Sequence, residues 1–285
     1  MILAVRAPER RDTPAFGCFN WRVRFLSSAQ NPEIKATARL KDRRDREREG
    51  RYLIEGSREL DRAFNAGVRI ERVYVSEEHL RPNADDALAA MSEAGIEIVA
   101  VSAHAFEKLS MRENPDGVIA VAPIVPRALP DLPADALVLV LVGLEKPGNL
   151  GALLRTADGV GVHAVIVAGR GVDLHSPNVI RASQGSVFTL PVVHMNDEDA
   201  LTTLRQHAFR LVACTPEGAV TYWSTDLRGR VALLLGTEHE GLPPAWRALA
   251  HDRVSIPMRG TADSLNVATA GALVLYEALR QRERH

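Results

Sequence analysis

A proline-rich stretch, APIVPRALPDLPADA at residues 122–136, constrains this chain more than any other feature. Pro123, Pro126, Pro130 and Pro133 fix φ and remove backbone donors, so neither a helix nor an inner strand runs through it. It reads as a stiff linker over 123–136, with an independent pattern on each side. Before it, helices over 31–66 break at Gly50 around a short strand at 52–54, and Ser57 is placed to cap a helix over 58–65. Strands at 70–75, 96–101 and 118–122 then alternate with helices at 85–94 and 105–109. After it, strands at 137–142, 164–167, 187–193, 210–214, 231–235 and 253–256 alternate with helices at 151–159, 178–183, 200–207, 245–250 and 265–282. The expectation is α/β: a C-terminal parallel-sheet domain over 137–285 and a smaller N-terminal α/β domain over 26–122. Residues 1–25 show no period and stand as an unassigned extension.

Composition narrows the class. With 285 residues, 46% of them apolar and 25% charged, the chain has an ordinary globular makeup. Cys18 and Cys214 are far apart, which predicts neither a disulfide framework nor a cysteine metal site. The longest apolar run, nine residues at 136–144, is too short to span a bilayer. The opening MILAV reaches Arg6 at once, leaving no apolar leader, so a soluble cytoplasmic protein with no membrane and no metal is expected. A formal net charge of -1 argues, in bulk, against a polyanionic partner. By segment the picture differs, because residues 1–51 carry 13 Lys and Arg against 7 Asp and Glu. The densest part, 35–51, includes Lys35, Arg43 and Arg44 and reads either as a solvated helix or as a local nucleic-acid contact.

Parallel sheets bind ligands beyond the carboxyl ends of their strands, which directs attention to four loops. These are 145–151 (EKPGNLG), 236–242 (GTEHEGL), 256–260 (IPMRG) and 261–266 (TADSLN). The first has neither P-loop nor dinucleotide spacing, though a phosphate-binding turn is one reading of it. No G-x-S-x-G elbow and no H-E-x-x-H motif is present, which counts against serine hydrolases of that type and zinc proteases. A nicotinamide oxidoreductase is disfavoured by the missing G-x-G-x-x-G turn.

Three segments together resemble the SpoU-type (TrmH-like, SPOUT superfamily) RNA ribose 2'-O-methyltransferases. They are Asn149-x-Gly151-x-x-x-Arg155-x-Ala157, then Leu235-Gly236-Thr237-Glu238-His239-Glu240-Gly241-Leu242, and Ile256-Pro257-Met258-x-Gly260-x-x-x-Ser264-Leu265-Asn266-Val267. Gln30-Asn31-Pro32-x-Ile34-Lys35 and Leu53-Ile54-Glu55-Gly56 resemble the opening of the family's ribosomal-protein-like substrate-binding domain. Glu145-Lys146-Pro147 departs from the family, which more often has an acid directly before the proline.

The resemblance implies a deep C-terminal trefoil knot wrapping one S-adenosyl-L-methionine, a homodimer, and methylation of RNA, with rRNA favoured over tRNA. It implies cofactor contacts at Gly236, Ile256 and Leu265, with Thr215, Met258 and Ser264 close by. Arg155 is the residue expected to carry the chemistry, either by gripping a phosphate and stabilising the oxyanion or by accepting the hydroxyl proton. Asn149, Asn266 and Glu238 are expected to hold loops or orient the ribose. Arg181 is expected to contact a phosphate, and Lys35, Arg43 and Arg44 to contact RNA. The rival from another class is a non-catalytic RNA-binding or ribosome-assembly factor with the same fold.

Overall fold

In the computed structural model, residues 24–81, 84–237 and 240–283 are described. Glu238, a predicted site residue, and Cys18 lie outside them.

The first unit runs β1 (Arg24–Leu26), α1 (Pro32–Arg39), α2 (Arg43–Glu49), β2 (Arg51–Glu55), α3 (Ser57–Asn65), β3 (Arg72–Val75), α4 (Asp85–Glu93), β4 (Glu97–Val101), α5 (Ala103–Leu109) and β5 (Val118–Pro123). Its sheet has the order β1-β4-β3-β5-β2, with β1, β4 and β3 parallel and β5 antiparallel to both β3 and β2. Two expectations change here. Arg24 belongs to a strand rather than to the extension, because β1 pairs with β4; three residues are too few to show a period. Ser57 is also not the cap of α3 but its first residue. Gly56, at φ 119°, takes the cap position, and the carboxylate of Asp116 accepts from the Ser57 N–H at 3.0 Å.

The second unit begins where the prolines end. It runs β6 (Leu137–Val142), α6 (Pro147–Val160), β7 (Ala164–Ala168), α7 (Pro177–Ala182), α8 (Ser186–Thr189), β8 (Val192–Met195), α9 (Asp197–Gln206), β9 (Arg210–Cys214), β10 (Val220–Thr221), β11 (Val231–Leu235), α10 (Pro244–Leu249), β12 (Asp252–Ser255) and α11 (Val267–Arg282). Seven strands in the order β10-β12-β9-β11-β6-β7-β8 form one parallel sheet. Strand β6 is buried along its whole length and its side chains alternate between two cores. Leu137, Leu139 and Leu141 face the layer holding α6 and α11, while Val138 and Val140 face the layer holding Leu204 of α9 and Trp246 of α10. Helices on both faces explain why this strand carries no polar alternation.

Two further expectations are corrected in this unit. The apolar run 187–193 is not one strand, since 186–189 form the short helix α8 and β8 follows. The reason is tertiary: Ser186 and Thr189 both donate to the carboxylate of Asp158 on α6, which holds that turn helical. The predicted loop 145–151 is largely the first turn of α6, which starts at Pro147; proline has no N–H to lose there.

The units share a core. Tyr52 of β2 lies over His175 and Phe188 of the second unit, with ring centroids 4.7 and 6.4 Å away. Beside them, Arg46 of α2 is 4% exposed and donates to Asp173 at 2.6 and 2.9 Å, and to the carbonyls of Leu40 and Lys41. Arg43 reaches the Gly171 carbonyl at 3.0 Å, and Arg62 of α3 the Gln184 carbonyl at 2.9 Å. No helix among the described residues is long and apolar enough to cross a membrane.

Candidate active site

A cleft of about 340 Å³ opens beyond the carboxyl ends of β9, β11 and β12, against the start of α11. Thr215, Gly236, Ile256, Met258, Ser264 and Leu265 all line it. They come from four segments spread over fifty residues and meet because parallel strands deliver their exits to one edge.

Close backbone approach shapes its walls. The Thr215 N–H donates to the Val254 carbonyl at 2.9 Å, joining the exits of β9 and β12. At the end of β11, a Cβ on Gly236 would overlap the backbone of Gly241 and Leu242. Thr237 pairs back onto Gly241 through an N–H to carbonyl bond of 3.0 Å, and its hydroxyl accepts from the Glu240 N–H. Glycine at 236 is therefore required by space, not only by turn conformation. Apolar Ile256, Leu265, Val254 and Val274 line the cleft together with acidic Glu217, Glu240 and Asp263 and basic Arg247. Cys214 lines it too, but burial pushes its thiol up to about 12, so no thiolate nucleophile is available.

Helix α6 packs against α11, whose first turns line the cleft. A Cβ on Gly271 of α11 would run into Leu153 of α6 and Leu235 of β11, so glycine lets α11 lie close on both. At the head of α11, the Asn266 carbonyl oxygen accepts from the Ala268 N–H at 2.9 Å, capping the helix. Its amide donates to Asn149 Oδ1 at 3.1 Å, tying the cofactor-side loop to the first turn of α6. Arg155 is exposed on the same helix, about 9 Å further along its axis. Among the described residues no acid lies within ion-pair distance of it. Asp158, the nearest acid in sequence, is taken up by Ser186 and Thr189. Among the described residues the Arg155 guanidinium is thus unpaired, on the helix that packs against α11.

The basic residues predicted to meet RNA are not gathered at this cleft. Lys35 is exposed on α1 and Arg44 on α2, whereas Arg43 is engaged with Glu47 and Gly171 at the seam between units. Arg181 is exposed on α7 and bonded only to the neutral Asn178. Sequence reasoning missed Glu217, Glu240, Asp263 and Arg247 as lining residues. Glu240 and Asp263 stand inside the loops singled out and were readable by position. Arg247 comes from α10 and had no local signal.

Comparison with known proteins places this geometry. Residues 136–276 match the SpoU rRNA Methylase family, and residues 31–120 match the MRM3-like substrate binding domain. The 23S rRNA (uridine(2479)-2'-O)-methyltransferase of Streptomyces viridochromogenes is 33% identical over 86% of this chain and 88% of its own. A solved RNA 2'-O ribose methyltransferase is 48% identical, covering 91% of this chain and 99% of that one, with a TM-score of 0.81. The chain belongs to the SpoU rRNA methylase family. A second SpoU relative, an AdoMet-bound rRNA methyltransferase from Sinorhizobium meliloti, is 30% identical with a TM-score of 0.83, covering 90% of this chain and 98% of that one. The SpoU match begins one residue before β6 and ends inside α11, so it takes in the sheet and the whole cleft. The substrate-domain match spans α1 to β5.

Proposed function

We propose that this protein transfers a methyl group from S-adenosyl-L-methionine to a ribose 2'-hydroxyl of large-subunit ribosomal RNA. The observation that carries the reading is the cleft itself, in which the cofactor-motif residues converge against α11, the helix packed on the one that carries Arg155. The residues fit the cofactor. The cleft's volume lies within the range of small-molecule sites, and apolar Ile256, Val254 and Leu265 suit an adenine. Glu217, Glu240 and Asp263 supply negative charge for a cationic sulfonium and ammonium, and Arg247 positive charge for a carboxylate. When bound, S-adenosyl-L-methionine supplies an electrophilic methyl carbon and leaves as a neutral thioether.

The chain's own part is positioning and electrostatics. Thr215, Gly236, Ile256, Met258, Ser264 and Leu265 hold the cofactor, and the Asn266–Asn149 bond keeps their loop against α6. Arg155 grips the phosphate next to the target ribose, lines up the hydroxyl and stabilises negative charge as its oxygen bonds to carbon and its proton leaves to solvent. That role is favoured over proton acceptance because among the described residues no acid pairs with Arg155 to share or relay a proton.

The reading extends to the assembly. Leu273 and Tyr276 are 38% and 54% exposed on one stripe of α11. Gly159, one helical turn after Arg155, packs at Tyr276, so the apolar stripe adjoins the arginine face. A homodimer through that stripe brings Arg155 near the interface, and a trefoil knot of the loops around the cleft completes the family architecture. A cytoplasmic location follows from the ribosomal substrate. The function is tested by incubating the protein with labelled cofactor and rRNA or tRNA, then mapping 2'-O-methylated nucleotides. One new site in rRNA is expected, whereas cofactor binding without methylation of any RNA overturns the reading in favour of an assembly factor.

A further inference from the structure

A second cleft, about 350 Å³, lies in the seam between the two units. Its walls carry Arg58 and Ser57 at the start of α3, Arg81, Arg112, Arg181 of α7 and Gln184 of the α7–α8 corner, with Glu59 and Asp116. The second unit is held tightly here. Gly185, at φ 85°, brings that corner against α3, where a Cβ would meet Arg62 at 3.1 Å, and Gln184 itself sits at φ 52°.

Charge in the cleft is unbalanced. Arg112 is paired with both carboxylates, Glu59 at 3.3 Å and Asp116 at 3.4 Å, and donates to the Glu55 carbonyl. Arg58, Arg81 and Arg181 remain exposed, and among the described residues none is paired with an acid. Four arginines against two carboxylates leave a net charge of +2 around the amino end of a nine-residue helix, which adds positive potential of its own.

The second observation is independent of charge. Ser57 is more than nine-tenths buried, lines the cleft, and its Oγ has no hydrogen-bond partner; Asp116 Oδ1 is in the same state. Buried polar atoms are nearly always satisfied, and leaving one unmade costs stability.

Resting on the methyltransferase reading, we infer that the seam cleft holds a backbone phosphate of the substrate RNA. Arg58, Arg81 and Arg181 contact it, and Ser57 Oγ–H donates to one of its oxygens. Because Arg181 belongs to the catalytic unit and Arg58 to the substrate-binding unit, one phosphate registers the RNA on both. The cleft sets position, not base identity.

The test uses the full-length protein and an rRNA fragment it methylates. Replacing all three arginines (Arg58→Gln, Arg81→Gln, Arg181→Gln) is expected to raise KM for RNA roughly tenfold with kcat nearly unchanged. It should also flatten the dependence of log affinity on log salt by about 1 unit, as for one phosphate, while cofactor affinity stays the same. Ser57→Ala is expected to weaken RNA binding several-fold without lowering Tm, since its hydroxyl holds nothing in the free protein. Unchanged KM and salt slope in the triple variant overturn the inference, as does a Ser57→Ala variant that loses stability but keeps RNA affinity. If inorganic phosphate stabilises the wild type through these arginines while RNA binding ignores them, the cleft is a free-anion site and the inference also fails. A wild-type protein that binds cofactor but methylates no RNA sinks the methyltransferase reading instead, so the two failures are distinct.

Discussion

Asn266 and Asn149 lie 117 residues apart in sequence, yet their amides meet at 3.1 Å and join the head of α11 to the first turn of α6. The same Asn266 side chain caps α11. One residue therefore fixes both the helix start and the loop that lines the cofactor cleft. Asn266→Ala is expected to cost about 1 kcal/mol through the lost cap, read as a lower denaturation midpoint. It should also weaken S-adenosyl-L-methionine binding by calorimetry. Asn149→Ala keeps the cap, so it should show the second effect with little of the first.

Arg155 has no structural duty among the described residues. Its replacement by Ala should leave Tm and cofactor affinity as they are and reduce methyl transfer by about 10²–10³, the scale of losing one oriented stabilising donor. Single-turnover assays separate this from binding. Full turnover by the variant would remove Arg155 from the chemistry.

Arg46 is the opposite case. It was grouped by sequence with a basic RNA-binding arm, but it is buried and paired with Asp173 across the seam. Arg46→Ala leaves Asp173 without its partner and is expected to cost about 3–5 kcal/mol in urea denaturation. A fall in RNA affinity without loss of stability would contradict the placement.

Glu33 gives the first unit an acid-sensitive joint. The hydrogen bond from Arg24, reinforced by Tyr74 and Arg72 and opposed by partial burial, holds its carboxyl down at about 2. A carboxyl with a depressed folded value stabilises the fold above its unfolded value, near 4.5, and loses that contribution as pH falls toward 2. Stability of the wild type should therefore decline over that window. Glu33→Gln should be less stable at neutral pH and show a shallower decline, measured by denaturant titrations at a series of pH values.

Sequence alone determined the elements whose signals are local. Pro126, Pro130 and Pro133 separate the two sheets, Pro123 itself closing β5, while the continuous apolar strands 137–142 and 231–235 announce a parallel sheet covered on both faces, and the loop motifs point to one ligand site. Motif spacing works because each loop carries its own backbone requirement, as at Gly236. Tertiary structure decided what depends on a distant partner. Val187 and Phe188 are strand-like residues made helical by Asp158, Ser57 yields its capping place to Asp116, and Arg43 and Arg46 leave a solvated arm to clamp the seam. In each instance the deciding contact is 28 to 128 residues away, beyond any local window, and its energy exceeds the few tenths of a kilocalorie by which local propensity prefers one state.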